Sequence, residues 1–266
     1  MADSPTAWLC SYPKSGRTWM RFALVNLLDR RHGLGGDFDM LNMFGLIPNS
    51  DGEGKTQPTK TPDNYLFGER PEVPFIVMSH LSWEEAFAEV PTVFLVRSPG
   101  DVIVSFYHHM SRHDGRFRGS LSEFAADPEY GIPNLVSYLA SWQPHLDDQG
   151  VTVLSYEELR RDPVPSFEAL TRGLGIEAER DELAAALEAA SVQKMREVEA
   201  VSGVGQPQEY DFEDPNARRV RKAKVGGWRE EMDDDTIALL LAEIEASPGA
   251  RELLGRLDLM PGPTAV

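Results

Sequence analysis

Residues 7–19 constrain the fold more than any other part of the chain. The apolar run Ala7-Trp-Leu-Cys-Ser11 passes through Tyr12-Pro-Lys-Ser-Gly-Arg-Thr-Trp19 into a stretch, 18–30, almost free of helix breakers and rich in Met, Phe, Leu and Val. A short apolar run bounded by turn residues predicts a buried strand, and the long stretch after it predicts a largely buried helix. Three further runs read as buried strands: 75–79, 93–96 and 151–155. Helical segments are expected at 101–111, 134–146, 165–174 and 180–190. Near the end, Asp233-Asp-Asp precedes Ile237, Leu240, Leu241 and Ile244, a spacing that sets four apolar side chains on one helical face with negative charge at its N-terminus. Strands alternating with helices imply βα units around a mostly parallel sheet. The expected class is therefore α/β, a single domain over residues 1–266 with a central, mostly parallel sheet flanked by helices. Segments 33–74, 113–133 and 202–216 are broken by Gly, Pro, Asn and Asp and are expected to be irregular.

Charge narrows the ligands. The 266 residues carry 43 Asp+Glu against 26 Lys+Arg, a formal net charge of −17. Nucleic-acid binding relies on lysine and arginine displacing counterions from phosphates, so no nucleic-acid partner is expected. An anionic small ligand must instead be held by a local cluster of positive groups. The single cysteine, Cys10, excludes an intrachain disulfide and any zinc site built from several cysteines. The N-terminus shows no basic region followed by an apolar stretch, and no apolar run approaches the roughly 20 residues that span a bilayer. The expectation is a cytoplasmic protein without a membrane partner.

Three basic clusters stand out. In the first, a glycine between strand and helix lets the backbone approach a ligand, while the helix N-terminus offers N–H groups and a positive dipole end. Lys14 adds a charge and Thr18 a hydroxyl. The same Pro13 and Gly16 would also serve a plain strand-to-helix turn. The pattern G-x-x-x-x-G-K-[ST] is absent, because Lys14 precedes the glycine. In the second, Arg97 ends a strand and Ser105 lies in the following helix, where the two can converge on one anion; a surface ion pair would explain Arg97 equally well. The third holds five basic residues between Arg218 and Lys224, which otherwise reads as a solvated loop. His80 follows the second strand, at the sheet edge where ligands of parallel α/β folds gather. A lone histidine there is commonly structural, yet a neutral imidazole can take a proton from a hydroxyl.

Tyr12-Pro-Lys-Ser-Gly-Arg-Thr-Trp19 resembles the YPKSGTTW loop of the cytosolic sulfotransferases that use 3′-phosphoadenosine 5′-phosphosulfate (PAPS). Arg97-Ser-Pro-Gly-Asp-Val-Ile-Val-Ser105 is similar to the family's RNPKDVAVSYYH, Tyr156-Glu-Glu to its YEDxxxDP, Arg221-Lys-Ala-Lys-Val-Gly-Gly-Trp228 to its RKGxxGDW, and Met78-Ser-His80-Leu to its KTHLP. The resemblance implies a P-loop-kinase-like fold and PAPS as co-substrate, with its desulfated product PAP. It assigns the 5′-phosphosulfate to Lys14, Ser15, Gly16, Arg17 and Thr18, the adenine to Trp19 and Tyr156, and the 3′-phosphate to Arg97, Ser105, Arg221 and Lys222. His80 becomes the general base, Lys14 the group that meets charge on the leaving phosphate, and Ser105 a holder of Lys14. No metal is required. The acceptor implied is a hydroxyl on a small molecule, an alcohol or phenol, bound by segments 33–74 and 113–133. Phe38, Met40, Met43 and Phe44 are candidate contacts there, though core packing explains them as well.

Four departures qualify the resemblance. Met78 stands where the family has a lysine, Ala223 where it has a glycine, and Gly227 where it has an aspartate. Arg17, in place of a threonine, is the candidate for the missing charge. Two rivals remain at this point: a P-loop-like small-molecule kinase and a non-catalytic protein that binds PAPS or PAP. The family's dimer motif KxxxTVxxxE is not found after Trp228, which leaves the oligomeric state open.

Overall fold

The computed structural model describes residues 4–50, 68–202, 214, 216 and 224–262. Four strands, β1 (Ala7–Ser11), β2 (Ile76–Ser79), β3 (Thr92–Val96) and β4 (Val151–Ser155), form one sheet in the order β2-β1-β3-β4. Every pairing is parallel, with Leu9 opposite Met78 on one side and Val93 on the other. The strands therefore all end on one edge, and the loops after Ser11, Ser79, Val96 and Ser155 meet there. Among the described residues ten helices accompany them: α1 (Arg17–His32), α2 (Pro99–His108), α3 (Leu121–Ala126), α4 (Ile132–Trp142), α5 (Tyr156–Arg161), α6 (Pro163–Gly173), α7 (Arg180–Ala189), α8 (Val192–Ser202), α9 (Asp234–Ala246) and α10 (Pro248–Arg256).

Period-2 alternation divides the core into two layers. Leu9, Met78, Val93 and Leu95 face α1, α6 and α7. Cys10, Phe94 and Val96 face α2, α4, α9 and α10. On this second side Trp142 stacks on Phe94 at 4.2 Å and on Phe87 at 5.3 Å, with Trp83 edge-on at 5.1 Å. Burying rings of this size is worth several times a methylene each, so these residues dominate that layer. Parity also decides the fate of Met78: fully buried, it packs among the α1-side residues.

Some expectations are revised. Segment 113–133 is not irregular throughout, because it contains α3 and the start of α4. Three more helices, α5, α8 and α10, were not anticipated. The helix expected at 101–111 starts at Pro99 and ends in a π-helical turn, His109–His113. Within 33–74, Asn42–Gly45 form a 3₁₀ turn and Asn49 bridges to Met78 in parallel, extending the sheet edge beyond β2. Residues 51–67, most of 202–216, and Arg221 and Lys222 lie outside the described residues. No helix among the described residues is long and apolar enough to cross a membrane.

Candidate active site

The loop between β1 and α1 is set by two residues in the left-handed region, Lys14 at φ 68° and Gly16 at φ 98°. A side chain at position 16 would carry a Cβ 2.6 Å from the Tyr156 ring. Only glycine lets the loop lie that close to α5. Lysine lacks that freedom, and a left-handed non-glycine residue persists where its surroundings hold it. Here Arg97 does so, donating from Nη1 to the Lys14 carbonyl at 2.9 Å. Helix α1 then begins with no side-chain cap and no proline in its first turn. By contrast α3, α5, α9 and α10 are each capped by the side chain of the preceding residue. An uncapped N-terminus leaves first-turn N–H groups for a ligand.

These elements line a cavity of about 370 Å³. Lys14, Gly16, Arg17, Thr18, Trp19, His80, Arg97, Ser105 and Tyr156 all contribute to its wall. Ser15 does not; it is buried, and its N–H turns back to the Tyr12 carbonyl at 3.3 Å. At one end Trp19 meets Tyr156 edge-on at 5.8 Å, with Arg97 4.5 Å over the Tyr156 ring and Arg160 5.4 Å over that of Trp19. Beside them Glu157 accepts the Ser98 N–H at 3.0 Å, and burial holds its carboxyl above the usual range. Of the four candidate acceptor contacts only Phe44 reaches the cavity. Met40 and Met43 are core residues, and Phe38 packs against the same core.

His80 sits where β2 ends beside β1. Its Nδ1 lies 2.6 Å from the Ser11 carbonyl oxygen. A carbonyl can only accept, so Nδ1 carries the hydrogen and the lone pair resides on Nε2. Burial, then the positive charge of Arg17, push the imidazole well below its ordinary pKa of 6.5; Arg21 and Lys14 act the same way, against the Ser11 hydrogen bond. The ring is thus neutral at pH 7. A second cavity, lined by Tyr12, Ser82 and Asn134 among others, also reaches His80.

Several cavity residues escaped the sequence reading. Arg21, one turn after Arg17 on α1, is buried, hydrogen-bonds Asn49 and lies 4.1 Å over the Phe44 ring. The i, i+4 spacing from Arg17 was the available signal. Asp101 receives the N–H groups of Gly226 at 2.7 Å and Trp228 at 3.1 Å, anchoring the late basic segment to α2. Gly100 makes room for this, since a Cβ there would lie 2.4 Å from the Trp228 ring. Lys224 lines the cavity, and its carbonyl accepts from Arg97 at 3.3 Å.

The sulfotransferase domain model matches residues 4–246. The chain belongs to this family of enzymes. Its sequence is 25% identical to the flavonol 3-sulfotransferase of Flaveria bidentis, over 93% of this chain and 83% of that one. A solved structure of retinol dehydratase with androsterone and PAP superposes with a TM-score of 0.70 at 19% identity, covering 99% of this chain and 84% of the other. Mouse sulfotransferase SULT7A1 with PAP gives 0.63 at 21% identity, over 96% and 90%. The fold of this sulfotransferase is accordingly the P-loop-kinase-like α/β fold with an all-parallel sheet.

Proposed function

We propose that this sulfotransferase moves a sulfuryl group from PAPS to a hydroxyl of a small molecule, with His80 as general base. The observation that carries the reading is the pinned imidazole. Its Nδ1–H is held by Ser11, so its basic nitrogen belongs to a cavity that also holds Lys14, Arg17 and the open end of α1. The names of the relatives, a flavonol sulfotransferase and a retinol dehydratase complexed with androsterone, favour a small hydroxyl-bearing acceptor.

The cavity suits the co-substrate. Gly16 leaves a cradle that a side chain would fill, the loop supplies cations, and Trp19 and Tyr156 supply an aromatic end for an adenine. PAPS supplies the sulfuryl group, whose bond to the 5′-phosphate breaks as PAP leaves. Lys14 and the first-turn amides of α1 stabilise charge on the leaving phosphate. Arg97 and Ser105 line the same wall and serve the 3′-phosphate, joined by Arg221 and Lys222. His80 takes the hydroxyl proton on Nε2 as the acceptor oxygen attacks. Arg17 replaces the charge that Met78 cannot give: Met78 is locked in the core, whereas Arg17 is the strongest charge acting on His80.

Two measurements test this. Calorimetry should show tight PAP binding, and radiolabelled PAPS should label one or more of a panel of phenols and alcohols. Absence of PAP binding overturns the proposal, and binding without transfer to any acceptor leaves a nucleotide-binding protein. If Lys14→Ala abolishes turnover while Arg17→Ala leaves it unchanged, the role given to Arg17 is wrong.

A further inference from the structure

The π-helical turn that ends α2 carries donor side chains for which the sulfuryl-transfer reading has no use. The turn closes when the Asp114 N–H donates to the His109 carbonyl at 2.8 Å. Single π turns recur at functional sites because the extra residue re-aims side chains. Here His109 and His113 face each other with ring centres 4.8 Å apart. The Asp114 carboxylate reaches both, Oδ2 lying 3.6 Å from His109 Nε2 and Oδ1 3.9 Å from His113 Nε2.

These distances are too long for direct hydrogen bonds, which run at about 2.7–3.2 Å. Two other histidine–carboxylate pairs do close: His108 to Glu231 at 2.6 Å and His145 to Asp148 at 2.7 Å. The trio lies at the spacing of ligands around one ion. With zinc–ligand bonds of about 2.0–2.1 Å, tetrahedral ligand atoms lie roughly 3.4 Å apart and two ligating rings have centres roughly 5 Å apart. One donor atom from each of the three side chains falls within 4.8 Å of the others. The His113 side chain is 8% exposed, while His109 and Asp114 line the cavity.

We propose that His109, His113 and Asp114 form a binding site for a divalent transition-metal ion of the zinc type, with a fourth position open to the cavity. Two neutral imidazoles and one carboxylate suit such an ion better than calcium or magnesium, which prefer all-oxygen sets. Three protein ligands and one open position form a site that accepts water or a heteroatom of a bound molecule. Arg116, whose Nε lies 3.9 Å from Asp114 Oδ2, is the outer partner of the carboxylate. Sulfuryl transfer by His80 does not require the ion. Its effects are to fix the π turn and to offer a coordinating point to a polar group in the cavity.

The test reads metal binding itself, so its outcome is independent of whether the sulfotransferase proposal holds. The full, untagged chain is stripped with EDTA and titrated with Co²⁺, following visible absorption, and with Zn²⁺ in competition with a chromophoric chelator. One equivalent of each ion is expected, with the intense visible band of four-coordinate cobalt. Asp114→Asn and His109→Gln should each weaken binding by more than the roughly 10–100-fold typical of outer partners. His145→Gln, at the closed pair, should leave the titration unchanged. Circular dichroism and thermal unfolding in EDTA verify that each variant is folded. Failure to bind one equivalent, or equal affinity in the wild type and in both ligand variants, overturns the proposal.

Discussion

The two sides of the cavity are held in different ways. The loop side, residues 12–19 with Tyr156 and Arg97, depends on backbone conformation: left-handed Lys14 and Gly16, a glycine against a ring, and a helix with no cap. The rest of the lining, with Arg21, Phe44, Asn49, Phe106, Met110 and the π turn, depends on which side chains project from their elements. A backbone-defined wall tolerates almost no change and suits a ligand that never varies. A wall defined by side chains is readily altered by substitution and suits a ligand that differs among relatives. The proposed function accordingly puts the donor against the first wall and the acceptor against the second.

His80 is the proposed general base, so its loss should give the largest effect. His80→Gln is expected to lower kcat by roughly 10²–10⁴-fold, the range for removing a general base, while PAP affinity measured by calorimetry stays within twofold. A comparable loss of PAP binding would place His80 in the donor wall alone. The pH profile sharpens the point. A depressed pKa keeps His80 neutral down to pH values below 6.5, so the acidic limb of kcat/KM should lie below that value. Arg17→Gln removes a positive charge, so His80 protonates more readily and the limb should move to higher pH.

Gly16→Ala attacks only the loop wall. The substitution forces a left-handed alanine, at about 1–3 kcal/mol, and drives its Cβ toward the Tyr156 ring. PAP binding should weaken about tenfold or more, and the unfolding midpoint should fall by roughly 2–4 °C per kcal/mol. Unchanged PAP affinity in calorimetry would show that the donor does not use this loop.

The same contrast explains what was legible in the sequence. Strands β1 and β4 fell at the expected positions because five-residue apolar runs between turn signals have few alternatives. The first loop was legible because Pro13 and Gly16 act locally. The missed helices were short and polar, yet two announced themselves by capping boxes: Ser120 with Glu123 before α3, and Ser155 with Glu158 before α5. Arg21 was hidden because a charged residue on a helix reads as solvent-facing until the sheet edge is known to put a cavity there. The His109–His113–Asp114 group was hidden because H-x-x-x-H-D reads as an exposed helix end. Only the π turn brings the three together. Met78 is legible as a departure, but its burial on the α1 side needed the sheet register.

Phe44→Ala should give the smallest effect on the nucleotide and is the most direct attempt to break the contrast. Phe44 is buried, lines the cavity and lies under the Arg21 guanidinium at 4.1 Å. Removing the ring deletes apolar contact for an acceptor and a cation–π partner worth about 0.5–2 kcal/mol. If side chains define the acceptor wall, KM for the acceptor should rise severalfold while PAP affinity is unaltered. Stability should fall by about 3–5 kcal/mol, as for other buried phenylalanines, so Phe44→Leu, which keeps most of the volume, is the companion variant. A change in PAP affinity with no change in acceptor KM would reverse the assignment of the two walls. The physical reason to expect otherwise is that Arg21, which lies over the ring, and its partner Asn49 come from the second turn of α1 and the edge beyond β2, outside the loop of residues 12–16.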